Sequence, residues 1–252
     1  MDIRGKGAVV TGAASGIGQA VAYELARRGV RALALVDRSE AVRDVAEAIG
    51  RESAKQVCIE SFVGDVTADD FRRRVYDQTI EHCGVPTICV PAAGVTRDAL
   101  AVRLDKESGK ASLYSIEHFR QVMEVNLVAP TYWALEFVAR IAEDRNHRGL
   151  KAWDPEEHVQ GTIIFIGSVS SQGNKGQISY AATKAGLEGM AATLMKEAIF
   201  HGIRCGVIHP GFTDTPMVRA LGEEYITNRI LKQTQLRRLI KPEEIADRKS
   251  VV

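Results

Sequence analysis

Short apolar runs alternate along the chain with longer stretches in which apolar residues recur at helical spacing. Each short run predicts a buried strand, and each longer stretch predicts a helix with one apolar face. In the stretch 39–50, for example, Ala41, Val45, Ala48 and Ile49 are spaced to share one face. The predicted strands span 7–11, 32–36, 57–63, 87–90, 162–166 and 204–208, and the predicted helices span 16–28, 39–50, 68–83, 119–141 and 179–200, the fourth bent at Pro130.

This repeated strand–helix–strand order predicts a single α/β domain over residues 1–252. Strands that are apolar throughout are typical of a parallel sheet with helices on both faces. Right-handed crossovers then give a doubly wound, Rossmann-type sheet. Two polar stretches, 105–115 and 143–160, interrupt the pattern and are expected to be surface insertions without fixed structure.

The composition is that of an ordinary globular protein, with 45% hydrophobic and 26% charged residues. Lys plus Arg number 33 and Asp plus Glu 32, so the net charge of +1 gives no reason to expect a nucleic-acid or membrane partner. Because no apolar run is long enough for a signal peptide or a membrane span, a cytoplasmic protein is expected. The scattered Cys58, Cys83, Cys89 and Cys205 lack metal-site spacing and predict buried free thiols and no metal site.

A glycine-rich turn follows the first predicted strand and opens the first helix. Glycines at positions 12, 16 and 18 allow a tight turn and a close approach of the backbone to a pyrophosphate. The helix amino terminus adds free N–H groups and a positive dipole end. The candidate cofactor-binding residues of this turn are Gly12, Ser15, Gly16, Ile17 and Gly18.

Three polar residues follow the next two strands. Asp37 ends the second strand, where an acid accepts hydrogen bonds from adenosine ribose hydroxyls and repels a 2′-phosphate, which favours NAD(H). Arg38 could stack on adenine or bind a 2′-phosphate, so NADP(H) stays possible. Asp65 ends the third strand, where it could contact adenine. Alternatively, Asp37 and Asp65 cap the helices that follow them.

Tyr180 and Lys184 stand four residues apart on the last long helix, so their side chains share one face. A lysine ammonium beside the phenol is expected to lower the tyrosine pKa, which makes Tyr180 a candidate general acid and base. Ser168 follows the strand 162–166 and lies at the carboxyl edge of the sheet, where open α/β sheets bind ligands.

Taken together, these motifs identify the chain as resembling the classical short-chain dehydrogenases/reductases over roughly residues 5 to 245. The matching pieces, in chain order, are the Gly12–Gly18 turn, Asp65, Ala93-Gly94, Asn126, Ser168, Tyr180, Lys184 and Pro210-Gly211. The resemblance implies that Ser168 holds the substrate oxygen, that Tyr180 exchanges its proton, and that Lys184 binds the nicotinamide ribose. It also implies that Asn126 helps to hold a water molecule linked to Lys184. Val66, Ala93, Gly94, Pro210, Gly211 and Thr213 complete the implied cofactor site.

Two subfamilies share further features with the chain. The segments 93–104 and 173–177 resemble 3-oxoacyl-(acyl-carrier-protein) reductases, which as a rule use NADPH. The insertions resemble NAD-dependent type 2 3-hydroxyacyl-CoA dehydrogenases. Both resemblances imply interconversion of a 3-oxoacyl and a 3-hydroxyacyl thioester. A dehydrogenase of another alcohol, sugar or steroid, and a non-catalytic NAD-binding scaffold, are the alternatives.

Other regions depart from the family pattern or vary within it. Pro91-Ala92 replaces a pair of asparagines, and the family's last sheet strand is expected to be missing because the chain ends at Val252. Residues 212–240 are expected to form the substrate lid. By resemblance, the protein is expected to form a homodimer or homotetramer through the helices that carry Asn126 and Tyr180.

Overall fold

A six-stranded parallel sheet forms the centre of the protein, with strand order β3-β2-β1-β4-β7-β8. The computed structural model describes residues 3–53 and 57–247. The strands are β1 (Gly7–Thr11), β2 (Ala32–Asp37), β3 (Cys58–Val63), β4 (Ile88–Pro91), β7 (Gly161–Ile166) and β8 (Ile203–Ile208). The chain moves outward from β1 to β3 and then returns to place β4 on the other side of β1. This reversal opens a crevice at the carboxyl ends of β1 and β4, where ligands bind in sheets of this kind.

Helices cover both faces of the sheet and confirm the doubly wound fold. The main helices are α1 (Gly16–Arg27), α2 (Ala41–Glu52), α3 (Asp69–Cys83), α4 (Ile116–Met123), α5 (Ala129–His147) and α6 (Ile178–Ala198). One apolar core packs α3, α5 and α6 against the sheet around Trp133, Phe137 and Leu187. The other packs α1 and α2 around Val45 and Ile49. Neither Phe137 nor Ile49 exposes any surface, so both faces are closed to water.

The long helix predicted over 119–141 is two helices joined by a π-helical turn. The helical segment begins at Ile116 and ends at His147, and the widened turn spans Glu124–Val128. Pro130 lies in the first turn of α5, directly after the π-helical turn. The π-helical turn holds Asn126, and such turns are frequent at functional sites.

Both polar insertions have definite structure, contrary to expectation. In the first, β5 (Val102–Leu104) and β6 (Ala111–Leu113) form an antiparallel hairpin. In the second, α5 continues to His147, and the guanidinium of Arg145, 1% exposed, bonds Glu157 at 2.7 Å. Polarity alone failed to reveal this pair because the two partners come together only when the chain folds back on itself.

The cysteine prediction is wrong for one pair. Cys58 at the start of β3 and Cys83 at the end of α3 form a disulfide, with Cα atoms 6.2 Å apart. Cys89 and Cys205 are free thiols. The two bonded cysteines are 25 residues apart in sequence. They meet because one strand–helix unit returns the chain to the edge where it began.

The carboxyl-terminal region after β8 forms a series of short helices. These are α7 (Pro216–Arg219), α8 (Glu223–Tyr225), a π-helical turn (Ile226–Ile230), α9 (Leu231–Gln233) and α10 (Pro242–Ala246). Within residues 3–53 and 57–247, strand β8 forms one edge of the main sheet and β3 the other. Residues 248–252, which bear on the expected missing strand, lie outside the described residues. None of the helices described is both long enough and apolar enough to cross a membrane.

Candidate active site

A cleft of about 500 Å³ opens at the carboxyl ends of the strands. Most of the predicted cofactor residues line it: Gly12, Ser15, Gly16, Ile17, Gly18, Asp37, Arg38, Asp65, Val66, Ala93, Gly94, Tyr180 and Lys184. The lining also includes three residues of the expected substrate lid, Thr215, Pro216 and Met217. Sequence reasoning left out of the site six further lining residues: Gly64, Ala92, Val95, Gln121, Val125 and Ile166. Asn126, Ser168, Pro210, Gly211 and Thr213 are absent from the lining. The cleft therefore brings together residues from both ends of the sequence.

The glycine turn packs its backbone against other backbone, which only glycine permits. A Cβ on Gly12 would lie 2.8 Å from the Ala93 backbone nitrogen, and Gly12 also has a φ of 69°. A Cβ on Gly18 would lie 2.2 Å from the Gly12 carbonyl oxygen. Side chains at either position would push the turn outward. The N–H groups at the start of α1 therefore face the cleft without shielding, which fits a pyrophosphate.

Asp37 holds this turn against β2. Its carboxylate accepts the Ala14 N–H at 3.0 Å and the Ser39 N–H at 2.9 Å. The second bond is a local turn contact and does not cap α2, whose N-cap is Glu40. The first is a long-range contact that sequence reasoning did not anticipate. Both bonds leave the carboxylate at the cleft wall beside exposed Arg38.

Asp65 combines a local turn contact with a position at the cleft. It does not cap α3, whose N-cap is Ala68. One of its oxygens accepts the N–H of Thr67 at 2.9 Å and the Thr67 hydroxyl at 2.8 Å, just before α3. The neighbouring Val66 carbonyl accepts the indole N–H of Trp133 at 2.9 Å. This turn is therefore fixed at both ends, and it forms one wall of the cleft.

Tyr180 and Lys184 share one face of α6, as their spacing predicts. The Lys184 ammonium lies 5.4 Å from the centre of the Tyr180 ring and donates a hydrogen bond to the Ile166 carbonyl at 2.6 Å. Burial raises the pKa of Tyr180, the Ser168 hydroxyl lowers it, and the charge of Asp98 adds to the rise. The pKa of Tyr180 is therefore raised, whereas the sequence spacing of Tyr180 and Lys184 predicted that it would be lowered.

Burial also lowers the pKa of Lys184 to about 8, because a charged ammonium is poorly solvated there. The side chain is 6% exposed. Lys184 can therefore exchange a proton near neutral pH, while Tyr180 stays protonated. The pair offers a neutral phenol as a proton donor beside a lysine able to supply a proton.

Asn126 binds the loop that follows β4. Its amide oxygen accepts the Val95 N–H at 2.8 Å, and its amide nitrogen donates to the Val95 carbonyl at 2.8 Å. The residue is 1% exposed. These two bonds use both ends of the buried amide and position Val95 on the cleft wall. The water-holding role implied for Asn126 stays a prediction.

Ser168 after β7, and Pro210, Gly211 and Thr213 after β8, do not belong to the cleft lining. Ser168 follows β7, and its hydroxyl accepts the Ser170 N–H at 3.1 Å. Thr213 is 3% exposed and donates to the Gly211 carbonyl at 3.0 Å. Instead of these residues, Thr215, Pro216 and Met217 complete the cleft lining.

Comparison with known proteins relates the whole chain to one family. A family model described as short chain dehydrogenase matches residues 6–226. A 3-oxoacyl-(acyl-carrier-protein) reductase of Pseudomonas aeruginosa is 35% identical, with the match covering 98% of this chain and 89% of the relative. A (3R)-3-hydroxyacyl-CoA dehydrogenase of Mus musculus is 30% identical, with 95% and 86% covered.

Solved structures agree with this relationship. A short-chain type dehydrogenase/reductase from Mycobacterium marinum superposes with a TM-score of 0.80 at 25% identity, covering 97% of this chain and 87% of its own. A proposed NAD(P)-dependent gluconate 5-dehydrogenase from Beutenbergia cavernae, with NADP bound at low occupancy, gives 0.77 at 26% identity, covering 97% and 88%. The chain therefore belongs to the short-chain dehydrogenase family of NAD(P)-binding oxidoreductases.

Proposed function

We propose that this protein interconverts a ketone and a secondary alcohol by hydride transfer, acting on a 3-oxoacyl or 3-hydroxyacyl thioester. The observation that carries the proposal is one cleft that holds both the glycine turn and the Tyr180–Lys184 pair. A bound nicotinamide dinucleotide supplies or accepts the hydride. The glycine turn suits its pyrophosphate, because Gly12 and Gly18 have no room for side chains.

Tyr180 is proposed as the acid and base of the reaction. In reduction, its phenol gives a proton to the substrate oxygen as the carbon receives hydride. Because burial raises the pKa of Tyr180, the phenol is protonated near neutral pH, which suits the reductive direction. Lys184, with a pKa of about 8, is proposed to bind the nicotinamide ribose and to resupply the proton. Ser168, close enough to bond the phenol, is proposed to hold the substrate oxygen.

The proposed cofactor is NAD(H). The Asp37 carboxylate stands at the cleft wall at the end of β2, where it would accept ribose hydroxyls and repel a 2′-phosphate. Exposed Arg38 favours NADP(H) instead, because its guanidinium could bind a 2′-phosphate. The NADP in the Beutenbergia cavernae structure shows that NADP binds a relative of this fold. Asp37→Asn removes the charge but keeps one acceptor oxygen, so it should shift preference toward NADPH.

The substrate class is proposed from the relatives, whose names include a 3-oxoacyl carrier-protein reductase and a 3-hydroxyacyl-CoA dehydrogenase. The proposed partner is therefore a thioester on acyl carrier protein or coenzyme A. The gluconate 5-dehydrogenase likeness supports a second candidate, a sugar alcohol. A non-catalytic scaffold is disfavoured because Ser168, Tyr180 and Lys184 are all present.

We also propose a homodimer or homotetramer through α5 and α6. Both helices carry apolar side chains that are exposed in the single chain, among them Tyr132 at 48% and Leu135 at 41% on α5 and Met195 at 46% on α6. Sedimentation velocity tests this proposal. A single species of about 27.5 kDa would contradict it.

The decisive assay is reduction of acetoacetyl-CoA followed by nicotinamide absorbance, with NADH and NADPH compared in parallel. Turnover with NADH preferred, and a shift toward NADPH in Asp37→Asn, is the expected result. Turnover with NADPH preferred would overturn the role of Asp37 but keep the reaction. Absence of turnover with either cofactor, together with turnover of gluconate, would favour the sugar alcohol.

A further inference from the structure

Tyr114, at the base of the β5–β6 hairpin, is hydrogen-bonded to the residue beside Tyr180. Its hydroxyl donates to the Arg97 carbonyl at 2.6 Å and lies 2.8 Å from the Ser179 hydroxyl. A phenol has one proton, so the Ser179 hydroxyl donates to Tyr114. Ser179 is 1% exposed and immediately precedes Tyr180 in α6.

Two further contacts join the same pair of segments. The Gln177 amide donates to the Asp98 carboxylate at 2.8 Å, and the Ala99 N–H donates to the Gly176 carbonyl at 2.9 Å. The loop 97–99 therefore meets the segment 176–179 directly at two points, and the Tyr114 hydroxyl bridges Arg97 and Ser179 at a third. Asn126 fixes the earlier part of this loop through Val95. The loop thus forms a rigid support for the beginning of α6.

That support is needed because the first turn of a helix lacks intrahelical partners for its N–H groups and frays readily. Tyr180 is the third residue of α6 and lies in this turn. Proton transfer requires its hydroxyl to stay within hydrogen-bond reach of the substrate oxygen. Fraying at Ser179 would increase the distance over which Tyr180 moves.

We propose that Tyr114 is a positioning residue whose hydroxyl, acting through Ser179, holds the first turn of α6 so that Tyr180 meets the substrate oxygen. This role rests on the proposed function of Tyr180 as acid and base. Tyr114→Phe keeps the ring, which lies edge-on to His118, and removes only the hydroxyl. The buried Ser179 hydroxyl then loses its partner, which is costly in a closed site.

The test compares Tyr114→Phe, Ser179→Ala and the double variant in acetoacetyl-CoA reduction with NADH. Each single variant should lower kcat about threefold to tenfold, the effect of one neutral hydrogen bond, with KM for NADH unchanged. The double variant should lose no more than Tyr114→Phe alone, since both changes remove the same bond. Tyr23→Phe on α1 is the matched control, because the Tyr23 hydroxyl makes no hydrogen bond within the described residues.

Hydrogen exchange supplies a second reading that needs no turnover. Amides of residues 178–184 should exchange faster in Tyr114→Phe than in the wild type and in Tyr23→Phe. Unchanged exchange, or unchanged kcat in an active enzyme, would overturn the positioning role. The positioning role would also be overturned by a loss of kcat that is accompanied by a rise in KM for NADH and is additive in the double variant. That pattern indicates general destabilisation. If the amides exchange faster in Tyr114→Phe but the wild type does not reduce acetoacetyl-CoA, Tyr114 stabilises the first turn of α6 and only the proposed substrate is wrong.

Discussion

Replacing Gly18 with alanine tests whether the glycine turn is built for backbone contact. An alanine Cβ there would lie 2.2 Å from the Gly12 carbonyl oxygen, 2.7 Å from the Gly12 carbonyl carbon and 3.0 Å from the Thr11 carbonyl oxygen. All three atoms belong to backbone, so no flexible side chain can move away. The turn itself must shift, and with it the N–H groups proposed to bind the pyrophosphate.

The expected magnitude follows from two opposing effects. Alanine in a helix is favoured over glycine by about 1 kcal/mol, whereas forcing atoms into a packed site costs about 1–3 kcal/mol. Gly18→Ala should therefore lose up to about 2 kcal/mol of folding free energy. If the displaced turn also loses about 1–2 kcal/mol of its interaction with the pyrophosphate, NADH affinity falls about fivefold to thirtyfold.

Gly189→Ala in α6 is the matched control, since no neighbouring element comes within 4 Å of the place where its Cβ would stand. It gains the same helical preference without a clash and should raise the melting temperature by about 2–4 °C. Thermal unfolding without cofactor and NADH binding by nicotinamide fluorescence measure the two effects. Gly18→Ala with wild-type NADH affinity would refute the reasoning, because the turn would then be shown to lie away from the pyrophosphate.

Three further predictions concern Tyr180, Lys184 and the disulfide. Tyr180→Phe should abolish turnover and leave NADH affinity nearly unchanged; substantial turnover in steady-state assays would contradict the assigned mechanism. Lys184→Met should also be inactive. It should nevertheless be more stable than the wild type by up to about 3 kcal/mol at pH 7. The reason is that burial lowers the lysine pKa from its ordinary 10.5 to about 8, so the charged form destabilises the fold. This difference in the free energy of unfolding should shrink as pH rises from 8 to 10.5, because the folded lysine is already neutral there. Urea unfolding at several pH values measures it, and a stability gain that does not change with pH would count against this explanation. The double variant Cys58→Ser, Cys83→Ser should lose about 3 kcal/mol of folding free energy, and reduction of the wild type with a dithiol should cost the same. The control Cys205→Ser should not show this loss. Equal unfolding midpoints for the double variant and the wild type would show that the disulfide does not stabilise the fold.

The local patterns of the sequence determined most of the fold. Apolar runs predicted the six strands of the main sheet to within about two residues at each end, because buried parallel strands must be apolar on both faces. The glycine turn between β1 and α1 was also predictable, since a strand, closely spaced glycines and a helix occur in immediate succession. The four-residue spacing of Tyr180 and Lys184 likewise predicted a shared helix face.

Tertiary structure decided the features that depend on residues distant in sequence. The Cys58–Cys83 disulfide, the Asp37–Ala14 bond and the Tyr114–Ser179 bond each join separate elements, and no local periodicity encodes such pairings. The pKa of Tyr180 belongs to the same class. Sequence spacing brings a lysine near it and predicted a lowered pKa, but burial by the rest of the fold is the largest cause and raises the pKa. Spacing along one helix is set by covalent geometry, whereas burial and long-range contacts exist only once the whole chain has packed.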